Sequence, residues 1–316
     1  MNNKGKIVLG LLGVCIIVFS FMFFTKNTDF EELAPTPPFN DTLIMYGFEK
    51  DDASIIREKV SEENINYMLQ ILLEIEYVNE MVNDKCYVDE NLKEYLEYSN
   101  RFKDKELRDV IMDVNSNINR EFYTGIVNTT LEDGLLIINN KYYVLSIDFY
   151  GFNLVDLESK YSTYGKVEKL NKDTRDALVN MINDMNKFDL DISVYSAYRS
   201  YETQNKLYNN YIARDGKKEA DTYSARPGHS EHQTGLAIDV KSDTMNTWDF
   251  DKTKEYTWMF ENAHKYGFIL RYPKGMEYIT GYQYEPWHWR YVGVKEATYI
   301  YENNMIFEEY YEVFVK

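Results

Sequence analysis

The sequence predicts an α+β fold in its C-terminal part, preceded by a mainly α-helical region and a single N-terminal transmembrane helix. Three patterns carry that expectation. Residues 7–24 form an unbroken uncharged run. Residues 42–130 place apolar side chains at helical spacing. From residue 131 onward, helical and alternating patterns mix without repeating βαβ units.

The N-terminal run, Ile7 to Phe24, is apolar apart from Gly10, Gly13 and Ser20, near the lower length limit for a spanning helix. Lys4 and Lys6 precede it and Asp29, Glu31 and Glu32 follow, so the short tail 1–6 is expected in the cytoplasm and the rest outside. Phe21-Met22-Phe23-Phe24 offers no Ala-x-Ala-like cleavage site, which favours a retained anchor over a cleaved signal peptide. Residues 25–41 contain Pro35-Thr36-Pro37-Pro38 and read as an extended linker. The expected location is the cell membrane, single-pass, with residues 131–316 extracytoplasmic.

With 316 residues, 44% of them hydrophobic, the chain can bury two substantial cores. Its 52 acidic against 35 basic residues give a net charge of -17, which repels polyanions and disfavours nucleic-acid binding. Cys15 lies in the span, so Cys86 has no partner for an intramolecular disulfide outside it and reads as a small buried residue.

In the helical region, Ile65, Met68, Leu69 and Leu72 recur at i, i+3, i+4 and i+7, and Leu107, Val110, Ile111 and Val114 repeat that spacing. Core packing explains both faces, because the heptads are not sustained as a coiled coil would require. Nothing there has the spacing of a chemical site.

Beyond Gly134, Leu135 to Ile138 and Tyr142 to Leu145 flank Asn139-Asn140-Lys141 and read as a β-hairpin. Leu178, Met181, Ile182 and Met185 mark an amphipathic helix, and Leu190, Ile192 and Val194 alternate as a strand. Helices follow over Glu202–Ile212, stopping near Asp215-Gly216, and over Lys254–Tyr266, with Gly267 at its C-terminal stop.

Two short stretches, His229 to Asp239 and Glu285 to His288, hold three of the four histidines together with carboxylates. A catalytic zinc site needs three ligands of these types and an open fourth position. Gly235 allows a turn, after which Leu236, Ile238 and Val240 face one side of a strand and Ala237 and Asp239 the other. Asp239 can then return toward His232 as a strand ligand beside a loop ligand. His288 fits as the third, sharing a strand face with Arg290. Glu285 stands three residues upstream and suits the role of general base. Zinc lowers the pKa of water from about 15.7 toward roughly 7, and a carboxylate then moves its proton to the leaving amine.

Ser196 to Gln204, Arg226 to Asp239, Tyr266 to Pro273 and Glu285 to Gly293 together closely resemble the VanY-type D-alanyl-D-alanine carboxypeptidases. The resemblance covers roughly residues 134 to 300 and leaves the helical region without a counterpart. It implies a compact zinc-peptidase domain over 131–316, with a small mainly antiparallel sheet and flanking helices, one zinc ion per chain, and removal of a terminal D-alanine from peptidoglycan stem peptides. It further implies His232, Asp239 and His288 as ligands, Glu285 as base and no serine-type mechanism. Arg199 matches the arginine that stabilises the oxyanion, a role suited to a fixed guanidinium in a dry site. Ser196, Gln204 and Ser230 match polar positions lining the substrate site.

Each nomination has a bland competitor. Ser196 and Gln204 would otherwise cap or tether the following helix, Ser230 would orient His232, and Arg199 would be a structural ion-pair residue. His229 is expected to be structural, and His264 to sit at a helix end outside the site. Arg290 is expected to support the ligand layer. The tyrosines between Tyr195 and Tyr284 are too scattered to define an aromatic platform, and most of them read as packing or surface residues. Rival functions are an L,D-carboxypeptidase acting on tetrapeptide stems, a D,D-dipeptidase, which an outward-facing anchor disfavours, and a non-catalytic peptidoglycan-binding or sensory module, which intact Glu285 and Arg199 disfavour.

Overall fold

The structure is a computed structural model that describes residues 39–116, 120–242 and 247–316. The expected span over 7–24 lies outside the described residues. No helix among the described residues is long and apolar enough to cross a membrane. The described chain forms two compact units divided between Val114 and Asn115, ahead of the boundary expected at 130.

The first unit is built from α1 (Phe39–Tyr46), α2 (Lys50–Lys59), α3 (Glu62–Gln70), α4 (Ile75–Asn83), α5 (Leu92–Arg101) and α6 (Leu107–Asn115). α1 begins inside the segment expected to be linker. The Ser61 side chain caps α3 by accepting from the Asn64 amide, and Ile65, Met68 and Leu69 are buried along one face. Leu72 corrects the expected pattern: it lies past the helix end at φ +55° and is 40% exposed. Leu107, Val110, Ile111 and Val114 are all buried, as is Cys86.

The second unit contains β1 (Val127–Asn128), β2 (Tyr143–Val144), β3 (Leu154–Leu157), β4 (Glu168–Asn171), α7 (Lys172–Asn186), β5 (Ser193–Ser196), α8 (Tyr201–Asp215), α9 (Lys217–Tyr223), β6 (Ala237–Lys241), α10 (Lys254–Asn262), β7 (Phe268–Leu270), α11 (Glu277–Thr280), β8 (His288–Tyr291), α12 (Val294–Glu302) and α13 (Phe307–Phe314). Its main sheet is antiparallel in the order β5-β6-β8-β7.

The hairpin expected around Asn139-Asn140-Lys141 does not form. Leu131–Leu136 is a 3-10 segment, and β2 instead pairs in parallel with β1, which joins the residues before 131 to this unit. The turn itself is real: Asn140 Oδ1 accepts from the amides of Tyr142 and Tyr143, and Asn139 Nδ2 donates to the carbonyls of Tyr143 and Gly228. These buried side chains satisfy the backbone that a partner strand would otherwise satisfy.

Asn171 caps α7 by accepting from the amides of Asp173 and Thr174, and Leu178, Met181, Ile182 and Met185 all point into the core. β5 starts only at Ser193, so Leu190 and Ile192 lie before the strand, just past Asp189 at φ +56°. α10 gives way to a 3-10 turn over Ala263–Tyr266 that stops at Gly267, where an added Cβ would lie 2.6 Å from the Tyr291 ring. Leu236, Ile238, Val240, Trp289 and Tyr291 belong to the core under the sheet. The alternate positions of β6 and β8 are thereby free to build the site.

Candidate metal centre and active-site cleft

Antiparallel pairing places Asp239 on β6 directly opposite His288 on β8, and Ser196 on β5 on the other side of Asp239. The third donor comes from the 3-10 turn Glu231–Thr234 that precedes β6. Gly235 ends that turn at φ +79°, and an added Cβ would lie 2.5 Å from Leu154 Cδ2, so only glycine lets the chain return into β6 here. His232 Nε2 is 3.2 Å from Asp239 Oδ2, and His288 Nδ1 is 3.0 Å from Asp239 Oδ1. The three donor atoms lie within 4.8 Å of one another and all three residues are buried.

Both imidazoles are oriented from behind. His232 Nδ1 sits 2.6 Å from the Ala197 carbonyl, which can only accept, so the proton is on Nδ1 and Nε2 is presented to Asp239. His288 is turned the other way, with Nε2 3.4 Å from Glu231 Oε2 and Nδ1 toward Asp239. A ring nitrogen bound from behind by a carbonyl or carboxylate is the usual support of a metal-ligating histidine. Two imidazole nitrogens and one carboxylate at this spacing fit a divalent ion such as zinc.

The three donors are strongly coupled electrostatically. Burial holds His232 below the ordinary histidine range, which keeps it neutral. Burial opposes charge on Asp239, but the two histidines outweigh it and hold the carboxylate well below its usual range. Burial likewise lowers His288, yet its contacts with Asp239 and Glu231 push it up to about 9. Burial, with the charges of Asp239 and Glu231, pushes Glu285 up to about 8 against the pull of His288 and Arg199. A carboxyl so displaced beside a donor cluster is poised for proton transfer.

Glu285 Oε2 is 3.8 Å from His288 Nδ1, so the expected base stands at the donor cluster. Arg199 approaches from the opposite strand end, Nη2 lying 3.9 Å from Asp239 Oδ2. Its guanidinium is fixed by Gln204 Oε1 at 2.7 Å and Ser196 Oγ at 2.8 Å. Gln204 and Ser196 therefore act on Arg199; Gln204 and Ser230 also line the cleft. The helix cap that was their bland alternative is supplied by Ser200, which accepts from the Thr203 amide.

His229 binds the Asn140 carbonyl through Nδ1 and packs edge-on against Tyr123, outside the donor cluster. His264 stacks on Tyr301 with ring centroids 4.1 Å apart. The tyrosines need correction: Tyr195, Tyr211, Tyr223, Tyr272 and Tyr282 line the same cleft, of about 390 Å³, together with Trp248 and Trp287. Strand β5 carries Tyr195, α8 Tyr211 and the end of α9 Tyr223, while Tyr272 and Tyr282 follow β7 and α11, so five separate elements gather them and no local spacing discloses it.

Sequence reasoning also missed Glu231. This carboxylate is 1% exposed, accepts from Arg271 Nε at 2.7 Å and Arg290 Nη1 at 2.9 Å, and faces His288. Its one signal was adjacency to His232 within the histidine-rich stretch.

The family model described as VanY, D-alanyl-D-alanine carboxypeptidase, matches residues 167–294. The chain is 40% identical over 194 residues to YodJ of Bacillus subtilis (strain 168), covering 60% of this chain and 71% of YodJ. It is 32% identical over 251 residues to a D-alanyl-D-alanine carboxypeptidase of Enterococcus faecium, covering 76% of this chain and 74% of that one. Among solved structures, the LD-carboxypeptidase LdcB superposes with a TM-score of 0.57 at 37% identity, over 60% of this chain and 91% of LdcB. The protein is a hydrolase of the carboxypeptidase class, and the chain belongs to the VanY family of D-alanyl-D-alanine carboxypeptidases.

Proposed function

We propose that the protein is a zinc D,D-carboxypeptidase that hydrolyses the terminal D-Ala-D-Ala bond of peptidoglycan stem peptides, held at the outer face of the cell membrane by residues 7–24. The observation that carries this reading is the convergence of His232, Asp239 and His288 with Glu285 and Arg199 in one cleft. When bound, zinc would acidify water and polarise the scissile carbonyl. His232 Nε2, an Asp239 oxygen and His288 Nδ1 would hold it. Glu285 accepts the proton from the attacking water and passes it to the leaving D-alanine amine. Arg199, immobilised by Ser196 and Gln204, aims its charge at the oxygen on which negative charge develops, where a preorganised donor acts without reorganising.

A second reading is favoured by the likeness to LdcB, namely L,D-carboxypeptidase action on tetrapeptide stems. Incubating the purified full chain with zinc and defined tri-, tetra- and pentapeptide stems, followed by mass analysis, separates the two. Release of one D-alanine from pentapeptide is the expected result, whereas cleavage of tetrapeptide alone would replace it with the L,D activity. Absence of turnover by folded, zinc-loaded protein would leave a binding or sensory module.

A further inference from the structure

Behind His288 lies a buried charge cluster that takes no direct part in the proposed chemistry. Glu231 uses its two oxygens differently. Oε1 accepts from Arg271 Nε at 2.7 Å and Arg290 Nη1 at 2.9 Å, while Oε2 faces His288 Nε2 at 3.4 Å. Arg271 is also bound by Glu308 through a fork of 2.7 and 2.6 Å, and Glu308 accepts from Asn140 Nδ2 at 3.2 Å. Arg290 donates from Nε to the carbonyl of Tyr291 and from Nη2 to those of Leu135 and Ile137. Arg271 and Arg290 are 0% exposed, Glu231 1% and Glu308 3%.

Such a cluster is costly to bury and is a poor route to stability alone, since replacing buried ion pairs by apolar residues of similar volume is often neutral or better. Its geometry does have a chemical consequence. A carboxylate only accepts, so the His288 nitrogen that faces Glu231 must carry a proton. Nδ1 faces a second acceptor, Asp239 Oδ1 at 3.0 Å, so a cation bound between those two would take the place of the Nδ1 proton and leave the remaining proton on Nε2, toward Glu231.

We infer that Glu231 is a positioning residue of the metal centre: it fixes His288 in the Nε2–H tautomer, and the Arg271–Glu308 fork from helix α13 holds Glu231 in register. The inference rests on the zinc reading proposed above. It extends the functional unit beyond the segment matching the VanY family model, because Glu308, Asn140 and the carbonyls of Leu135 and Ile137 all lie outside residues 167–294. The C-terminal helix is therefore part of the metal site's support, and its contribution reaches the ion's ligand through two side chains.

The test is zinc affinity by chelator competition on the full chain, comparing wild type with Glu231→Gln and Glu308→Gln. Loss of such an outer partner weakens metal binding about 10–100-fold. Glu231→Gln is expected in that range and Glu308→Gln below it, with kcat reduced more than KM is changed at saturating zinc. Where Glu231→Gln fails to fold, nitrogen-15 NMR of the histidines in zinc-loaded wild type decides. The proton is expected on His288 Nε2 and the metal on Nδ1; the reverse assignment overturns the proposal. Wild type that binds no zinc would sink the zinc reading and this one together. Wild type that binds zinc, with a folded Glu231→Gln of equal affinity, would sink this one alone.

Discussion

The two units of the chain bury different things. The helical unit closes over an apolar core, with Ile56, Ile65, Met81, Val110 and Ile111 at 1% exposure or less and few polar groups beside them. The second unit has an apolar core of its own under the sheet, but it also buries an unbroken polar run from His229 to Thr234, together with Asp239, Arg271, Glu285, His288 and Arg290. Burying polar and charged groups is unfavourable unless each is paired. In the second unit the pairing is oriented: each histidine of the donor set presents one nitrogen to a supporting oxygen and the other to Asp239. Apolar burial stabilises the fold of both units, whereas the polar burial of the second holds a reactive arrangement against its own cost.

The sharpest way to break this contrast is to change a buried polar group without changing its shape. Glu285→Gln is expected to lower kcat by about 10²–10⁴-fold, the usual weight of a general base, while zinc stoichiometry measured by atomic absorption stays at one per chain. Loss of the metal as well would mean that Glu285 is a ligand. In wild type the base must be ionised, so kcat/KM should fall about tenfold per pH unit on the acid side of the Glu285 pKa. Burial sets that pKa near 8 before any cation is considered, and a bound dication moves the limb to lower pH.

Arg199→Ala should come next, with a loss of about 10²–10³-fold in kcat, as for removal of a single oxyanion donor. Its kcat should fall while the pH limb set by Glu285 keeps its shape. A change confined to KM would make Arg199 a substrate-binding residue.

The smallest expected effect on turnover comes from the other unit. Ile111→Ala removes a fully buried side chain and should destabilise the helical unit by about 2–5 kcal/mol in denaturant titration. At temperatures below that transition, kcat/KM should stay within about twofold of wild type. A tenfold drop would show that the helical unit contributes to catalysis and would erase the contrast.

Much of the site was legible before any coordinates. His232, Asp239, His288 and Glu285 fall in two short stretches, and the alternation of β6 and β8 around apolar residues identifies the face each ligand occupies. The apolar helix faces were legible for the same reason, since periodicity is a local property. Leu72 and the hairpin at Asn139 failed where a local pattern met a competing backbone demand: a positive φ in one case, and buried asparagines serving the turn's amides in the other.

By itself the sequence determined which residues could do the chemistry, because donor type, spacing and strand alternation are written within short segments. Only the tertiary structure decided how they are held. Asp239 and His288 are 49 positions apart, and the register of β6 against β8 makes them neighbours. Ser196 and Gln204 turn out to grip Arg199, and Glu231 to back His288, with Glu308 reaching in from the last helix. Those roles depend on which nitrogen or oxygen faces which partner across the sheet. Orientation of that kind is fixed by packing between distant segments and leaves no periodic trace along the chain.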